Sequence, residues 1–201
     1  MTTAKTTCWG VAAAVAYAVA LGCGGSGSVN QGQVVEFDGA KGLVVLIQDS
    51  NYLDRANPKF DMLPPVRVQV PVDKREMGPA PEAGKLLALD CEKKQLVVFD
   101  AASQGFRTID FTLIGRQDNV YGDDARVAGV RFPVVDRDKR TITVFRSKQR
   151  RLVTFSVPDE IFSLPVDYWR TGDEVRYYYK DPGQALRMMN ITKTDIHKAG
   201  K

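Results

Sequence analysis

Gln33-Val34-Val35-Glu36-Phe37-Asp38, followed after a Gly-containing turn by Leu43-Val44-Val45-Leu46-Ile47, decides how the rest of this chain reads. Two β-branched apolar runs separated by Gly39-Ala40-Lys41-Gly42 specify an antiparallel hairpin. Val66, Val68 and Val70 then alternate with Arg67 and Gln69, the period of two of a half-buried strand. Gly84 opens a further run through Leu87 and Leu89. The same order recurs later in Val130 to Phe145, Val153 to Pro158 and Gly172 to Tyr179.

Landmarks in the two passages correspond in order, as an internal repeat requires. Both alternating runs end in Val-Pro, at Pro71 and Pro158, 87 residues apart, and Gly84 corresponds to Gly172 at a spacing of 88. Asp38 corresponds to Asp136 at 98, so the first copy carries about ten additional residues, within Gln48 to Pro65. The later runs turn at Glu92-Lys93-Lys94 and Asp181-Pro182-Gly183 and return as Leu96 to Phe99 and Leu186 to Ile191. Prolines at 58, 64, 65, 79, 81, 158, 165 and 182 leave no uninterrupted helical stretch.

The expected fold is all-β. It comprises two tandem small antiparallel β-barrels or strongly bent sheets, residues 33–114 and 129–196. Phe106 to Ile114 is a fifth strand of the first, 115–128 a linker and 197–201 a tail. One sandwich of eight to ten strands is the alternative.

The N-terminus reads as an export signal. Lys5 precedes an apolar run of eleven residues, Val11 to Leu21. This is too short for a membrane span, which needs about 20, and suits a signal-peptide core. Gly22-Cys23 resembles the lipobox of bacterial lipoproteins, in which the cysteine is acylated and becomes the new N-terminus. The sequence departs from that pattern at Ala20, where Leu is usual, and Leu21 stands one residue late. Ala18-Val19-Ala20 also fits ordinary secretory cleavage. Residues 1–22 are therefore read as a lipoprotein signal, Cys23 as the lipidation site, and the Gly/Ser-rich 23–32 as a flexible tether.

Cysteine and histidine counts exclude several chemistries. With Cys8 in the signal and Cys23 acylated, Cys91 has no disulfide partner. One histidine, His197, and one free thiol do not make a structural zinc site. Cys91 lies in Asp90-Cys91-Glu92-Lys93-Lys94, read as a hairpin turn with an exposed thiol. No Gly-x-Ser-x-Gly, HExxH or P-loop motif occurs.

The Gly172-Asp173-Glu174-Val175-Arg176-Tyr177 opening, within strand–turn–strand grammar, resembles small OB-like or SH3-like barrels. Leu46-Ile47-Gln48-Asp49-Ser50-Asn51-Tyr52, Leu63-Pro64-Pro65-Val66 and Met77-Gly78-Pro79-Ala80-Pro81-Glu82-Ala83-Gly84-Lys85 carry a second likeness. With the lipobox, they make the chain similar to a family of bacterial lipoproteins of unknown function, about 200 residues long, found mainly in sulfate-reducing Gram-negative anaerobes. That resemblance implies an address and no mechanism.

Three stretches are candidate sites. Charge is uneven: residues 24–118 carry net −2 and residues 119–201 net +5. Arg137, Lys139, Arg140, Arg146, Lys148, Arg150 and Arg151 surround Thr141 to Phe145. Such a patch suits anionic headgroups or an acidic partner, or simply protects a sheet edge. Tyr168, Trp169, Tyr177, Tyr178 and Tyr179 form the densest aromatic group, suited to stacking on a sugar or peptide or to core packing. Asp49, Asn51 and Asp54 form a weak calcium candidate. Asp54 and Phe60 stand where an EF-hand loop needs Gly and Glu, so capped turns are the preferred reading.

The expectation is a non-catalytic binding or scaffold module, lipid-anchored to a bacterial membrane and facing the periplasm. An accessory subunit of a membrane-associated complex fits that address. The expected partners are the membrane and an envelope protein, with no nucleic acid and no cofactor. The binding residues are Arg146, Lys148, Arg150, Arg151, Trp169 and Tyr177. A carbohydrate- or envelope-polymer-binding module is the first alternative, a carboxylate-dependent hydrolase the second.

Overall fold

A computed structural model describes residues 26–54 and 56–194. Twelve strands occupy that span: β1 (Ser28–Asp38), β2 (Leu43–Asp49), β3 (Phe60–Gln69), β4 (Leu86–Asp90), β5 (Gln95–Asp100), β6 (Gly105–Asp110), β7 (Thr112–Asp118), β8 (Val134–Asp136), β9 (Thr141–Arg146), β10 (Arg151–Ser156), β11 (Glu174–Tyr179) and β12 (Ala185–Asn190). One helical turn, Asp159–Phe162, and two 3₁₀ turns are the only helical pieces among the described residues. The all-β reading holds.

The strands form three antiparallel sheets, ordered β12-β11-β1-β2-β3, β7-β10-β9-β8 and β4-β5-β6. The three-stranded sheet is the middle layer, and its side chains alternate between two cores as the pleat requires. Leu86, Leu96, Val98 and Ile109 pack with Ile142, Val144, Val153 and Phe155 of the four-stranded sheet. Leu87 and Phe99 pack with Val35, Val45, Ile47 and Phe60 of the five-stranded sheet. The other face of that large sheet wraps its own core of Val34, Leu46, Val68, Val175, Tyr177 and Met188. Bulges in the β1–β2, β2–β3 and β11–β12 ladders bend it. Its edges meet at a single bridge, Gln69 with Gln184, so it curls without closing. The expected barrels are thus replaced by three open sheets.

The division into modules at 115–128 does not separate packing units. β1 pairs along its first half with β11, as in Gln31 with Arg176, and β7 crosses residue 115 to pair with β10. The tether expected over 23–32 gives way to β1 at Ser28. Ser28, Val29 and Asn30 offer no core side chain, but their backbones pair with Tyr177 to Tyr179. Strand β3 runs through Pro64 and Pro65, against the expectation that they break it. It is an edge strand, where a missing N–H costs no ladder bond, and the polar insertion shrinks to residues 50–59.

The repeat landmarks meet at the centre. A Cβ on Gly172 would lie 1.9 Å from the Val34 carbonyl and 2.8 Å from the Gly84 nitrogen, and one on Gly84 2.4 Å from the Arg170 carbonyl. Only glycine permits this approach. Buried Gln33 donates to the Gly84 and Leu86 carbonyls beside it.

Five hairpins share one turn geometry. In β1–β2, β4–β5, β5–β6, β8–β9 and β9–β10 the fifth turn residue has positive φ: Gly42, Lys94, Gln104, Arg140 and Arg150. Four of these turns begin with Asp. Asp38, Asp90, Asp100 and Asp136 each accept hydrogen bonds from backbone N–H groups two or three residues on, satisfying donors that the turn leaves unpaired. The fifth turn begins with Arg146.

Candidate functional site

That exceptional turn forms one wall of a cleft. Residues 145–149 face the segment 169–174 leading into β11, with Phe132-Pro133, Pro58, Phe60 and Ile191-Thr192 completing the lining. The cavity measures about 340 Å³, at the lower end of the range for small-ligand pockets. Phe132 and Phe145, with ring centroids 5.9 Å apart, give an apolar side. Ser147, Thr171 and Thr192 contribute hydroxyls.

Each carboxylate on the segment 167–174 already has a lysine. Lys85 lies 3.0 Å from Asp167, Lys193 3.3 Å from Asp173 and Lys148 2.5 Å from Glu174. Asp173 also accepts from Asn190 and from the backbone N–H of Glu82. Burial pushes the Glu174 carboxyl above the usual carboxylate range, against the pull of Lys148.

The arginines are treated differently. Among the described residues, Arg146 donates only to neutral acceptors: Gln149, the Thr171 hydroxyl and the Leu87 carbonyl. Burial lowers its pKa to about 10, with Glu174 opposing and Arg151 adding to the shift. Arg170 makes no ion pair among the described residues, and its Nε is buried without a hydrogen-bond partner. An uncompensated cation in such a place is costly unless an anion arrives.

Of the residues singled out by sequence, the structure brings Arg146, Lys148 and Trp169 to this cleft. Trp169 is 1 % exposed and packs edge-on against Phe155, so it floors the cleft and offers no stacking face. Arg151 is the cross-strand neighbour of both Arg146 and Asp118, and pairs with Asp118 at 2.7 Å. Arg150 lies over the Tyr121 ring and donates to its hydroxyl. Tyr177 is a core residue of the curled sheet, its pKa pushed up to about 12 by burial. Cys91 corrects the exposed-thiol expectation: it is buried against the β7–β10 sheet side, and burial raises its pKa.

The weak calcium candidates cap turns. Asp49 accepts from the backbone of Asn51 and Lys59, Asp54 from Ala56 and Asn57, and Asn51 donates to the Asn57 carbonyl. Cys23 and His197 lie outside the described residues. Sequence reasoning missed Arg170, Thr171 and Thr192, and the exposed group Val29, Leu186 and Met189. The four Asp-initiated turns were the signal that would have marked Arg146 as the exception.

The fold and cleft define an all-β protein of three stacked antiparallel sheets with a polar pocket at the junction of two of them. Residues 25–199 match the family described as "Domain of unknown function (DUF4881)", and the chain belongs to that family. No curated protein and no solved structure matches it.

Proposed function

We propose that this chain is a lipid-anchored protein of a Gram-negative envelope that acts without catalysis, as a binding module whose ligand enters the Arg146–Arg170 cleft. The observation that carries this reading is the pairing pattern: the cleft carboxylates Asp173 and Glu174, and Asp167 beside them, are each paired with a lysine, and two cleft arginines make no ion pair among the described residues. Asp173 and Glu174 adjoin one another and are both engaged, which favours binding over carboxylate-dependent hydrolysis. A concave pocket with hydroxyls and an apolar wall favours a carbohydrate or envelope polymer over a flat protein interface. A role as accessory subunit of a membrane complex remains compatible with that cleft.

The address is supported by the lipobox-like Gly22-Cys23 and by where the fold begins. β1 starts five residues after Cys23, a span of at most roughly 18 Å at full extension. The exposed apolar residues Val29, Leu186 and Met189 lie on the strands around that start.

Two variants test the proposal. Cys23→Ala is expected to release the protein from membranes and abolish labelling by a fatty-acid analogue; unchanged labelling removes the anchor from the reading. Ser147→Trp, at an exposed position on the cleft wall, is expected to abolish retention on isolated envelope polymer while anchoring persists. Retention undiminished by Ser147→Trp would place binding elsewhere.

A further inference from the structure

The cleft's chemistry narrows the ligand beyond that reading, on which this inference rests. We infer that the cleft takes an acidic sugar, a uronic-acid-type ring whose carboxylate docks between Arg146 and Arg170. A guanidinium presents a planar fork of donors that matches a carboxylate, and does so best where water is scarce. Both arginines line the same cavity. Among the described residues, Arg146 holds only neutral acceptors, and the buried Nε of Arg170 has none.

The negative groups nearby make their ion pairs elsewhere, although Glu174 lies close enough to Arg146, and Glu82 to Arg170, for the charges to act on one another. Asp167, Asp173 and Glu174 each have a lysine within 3.3 Å, and Asp118 is engaged with Arg151 and Arg116. The charge imbalance therefore sits at the arginines. The turn itself points the same way. A hairpin type that elsewhere starts on a capping Asp has Arg at that place only here, where the side chain reaches the cleft. A rule broken at one of five equivalent positions marks function more often than chance.

The rest of the lining selects a ring with hydroxyls. Phe132 and Phe145 supply an apolar wall on which the face of a pyranose can lie. Ser147, Thr171 and Thr192 line the same cavity; the Thr171 hydroxyl already accepts from Arg146 and the Thr192 hydroxyl from the Glu174 N–H. A bare anion would use the arginines and leave the wall empty, and a neutral sugar would do the reverse.

The test is calorimetric titration of the full-length protein with a uronic-acid tetrasaccharide, its carboxyl-reduced neutral counterpart, and inorganic phosphate. The acidic tetrasaccharide is expected to bind at least about tenfold more tightly than the reduced one, since each tenfold step corresponds to one lost charge-assisted contact of ordinary strength. Arg146→Asn and Arg170→Gln are each expected to weaken binding by a similar factor. Arg150→Gln, whose side chain lies against Tyr121, leaves binding unchanged. Far-ultraviolet dichroism and thermal midpoints verify that each variant is folded, and Arg146→Lys, which keeps the charge, should recover part of the affinity.

Equal binding of the acidic and reduced sugars would overturn the carboxylate inference while leaving a sugar-binding cleft. Phosphate binding as tight as the acidic sugar would overturn the sugar and leave an anion site. No binding of any probe overturns the inference, and the Ser147→Trp retention assay then decides independently whether the cleft binds at all.

Discussion

The β8–β9 and β9–β10 hairpins follow one another, share a turn geometry and place a positive-φ arginine at the same turn position, Arg140 and Arg150. They differ at the first residue. Asp136 folds back to accept the Lys139 N–H, and its pKa is held low by that bond. Arg146 reaches outward to Thr171 and Leu87 on other parts of the chain. One turn satisfies itself, and the other gives up its cap to hold a cation at a cleft. If the cleft binds as proposed, stability and binding are set against each other at a single position.

The largest expected effect breaks the frame that both hairpins rest on. Gly172→Ala forces a Cβ into the Val34 carbonyl and the Gly84 backbone, none of which is a flexible side chain. It should destabilise by at least about 3 kcal/mol, seen as failure to fold or a collapsed denaturation midpoint. A near-native midpoint would mean that the two glycines do not define the crossing.

Next comes the pair beside Arg146. Lys148→Met leaves the buried Glu174 carboxylate without its cation, an expected loss of about 2–3 kcal/mol at neutral pH. Asp49 raises and Arg146 lowers the same carboxyl. Because burial raises the Glu174 pKa above its ordinary 4.5, its ionised form opposes folding only as the pH rises through that raised value. The loss in Lys148→Met should accordingly shrink on acidification towards pH 4.5 and reach its full size in neutral and alkaline solution. Urea midpoints across that window measure it, and a pH-independent loss would contradict the assignment.

The smallest effect sharpens the comparison most. Arg146→Asn restores a capping side chain and removes an uncompensated cation, and should raise stability by about 0.5–1 kcal/mol. Asp136→Ala removes a working cap and should lower the thermal midpoint. Shifts of the same sign in the two variants would show that the turns are not a functional contrast.

Strands and turns were legible because they are local. The alternation of Val66, Val68 and Val70, and the Gly and Asp punctuation, depend on neighbours in sequence. Sheet membership was not, because it depends on partners such as Gln31 and Arg176, 145 residues apart. The prolines at 64 and 65 misled for the same reason: whether proline breaks a strand depends on whether that strand is an edge. The basic stretch was visible as composition. Which of its cations are engaged depends on Asp118, Glu174 and Tyr121, supplied by three separate parts of the fold.

The insertion of β1 between β11 and β2 carries a consequence for when the molecule becomes whole. The first strand of the fold waits for nearly the last: until residues 174–179 are available, one edge of β1 has no native partner. Contacts of such separation in sequence make folding slow and leave an open strand edge in the interval. For a chain made N-terminus first, the five-stranded sheet is completed only when the C-terminal hairpin is available.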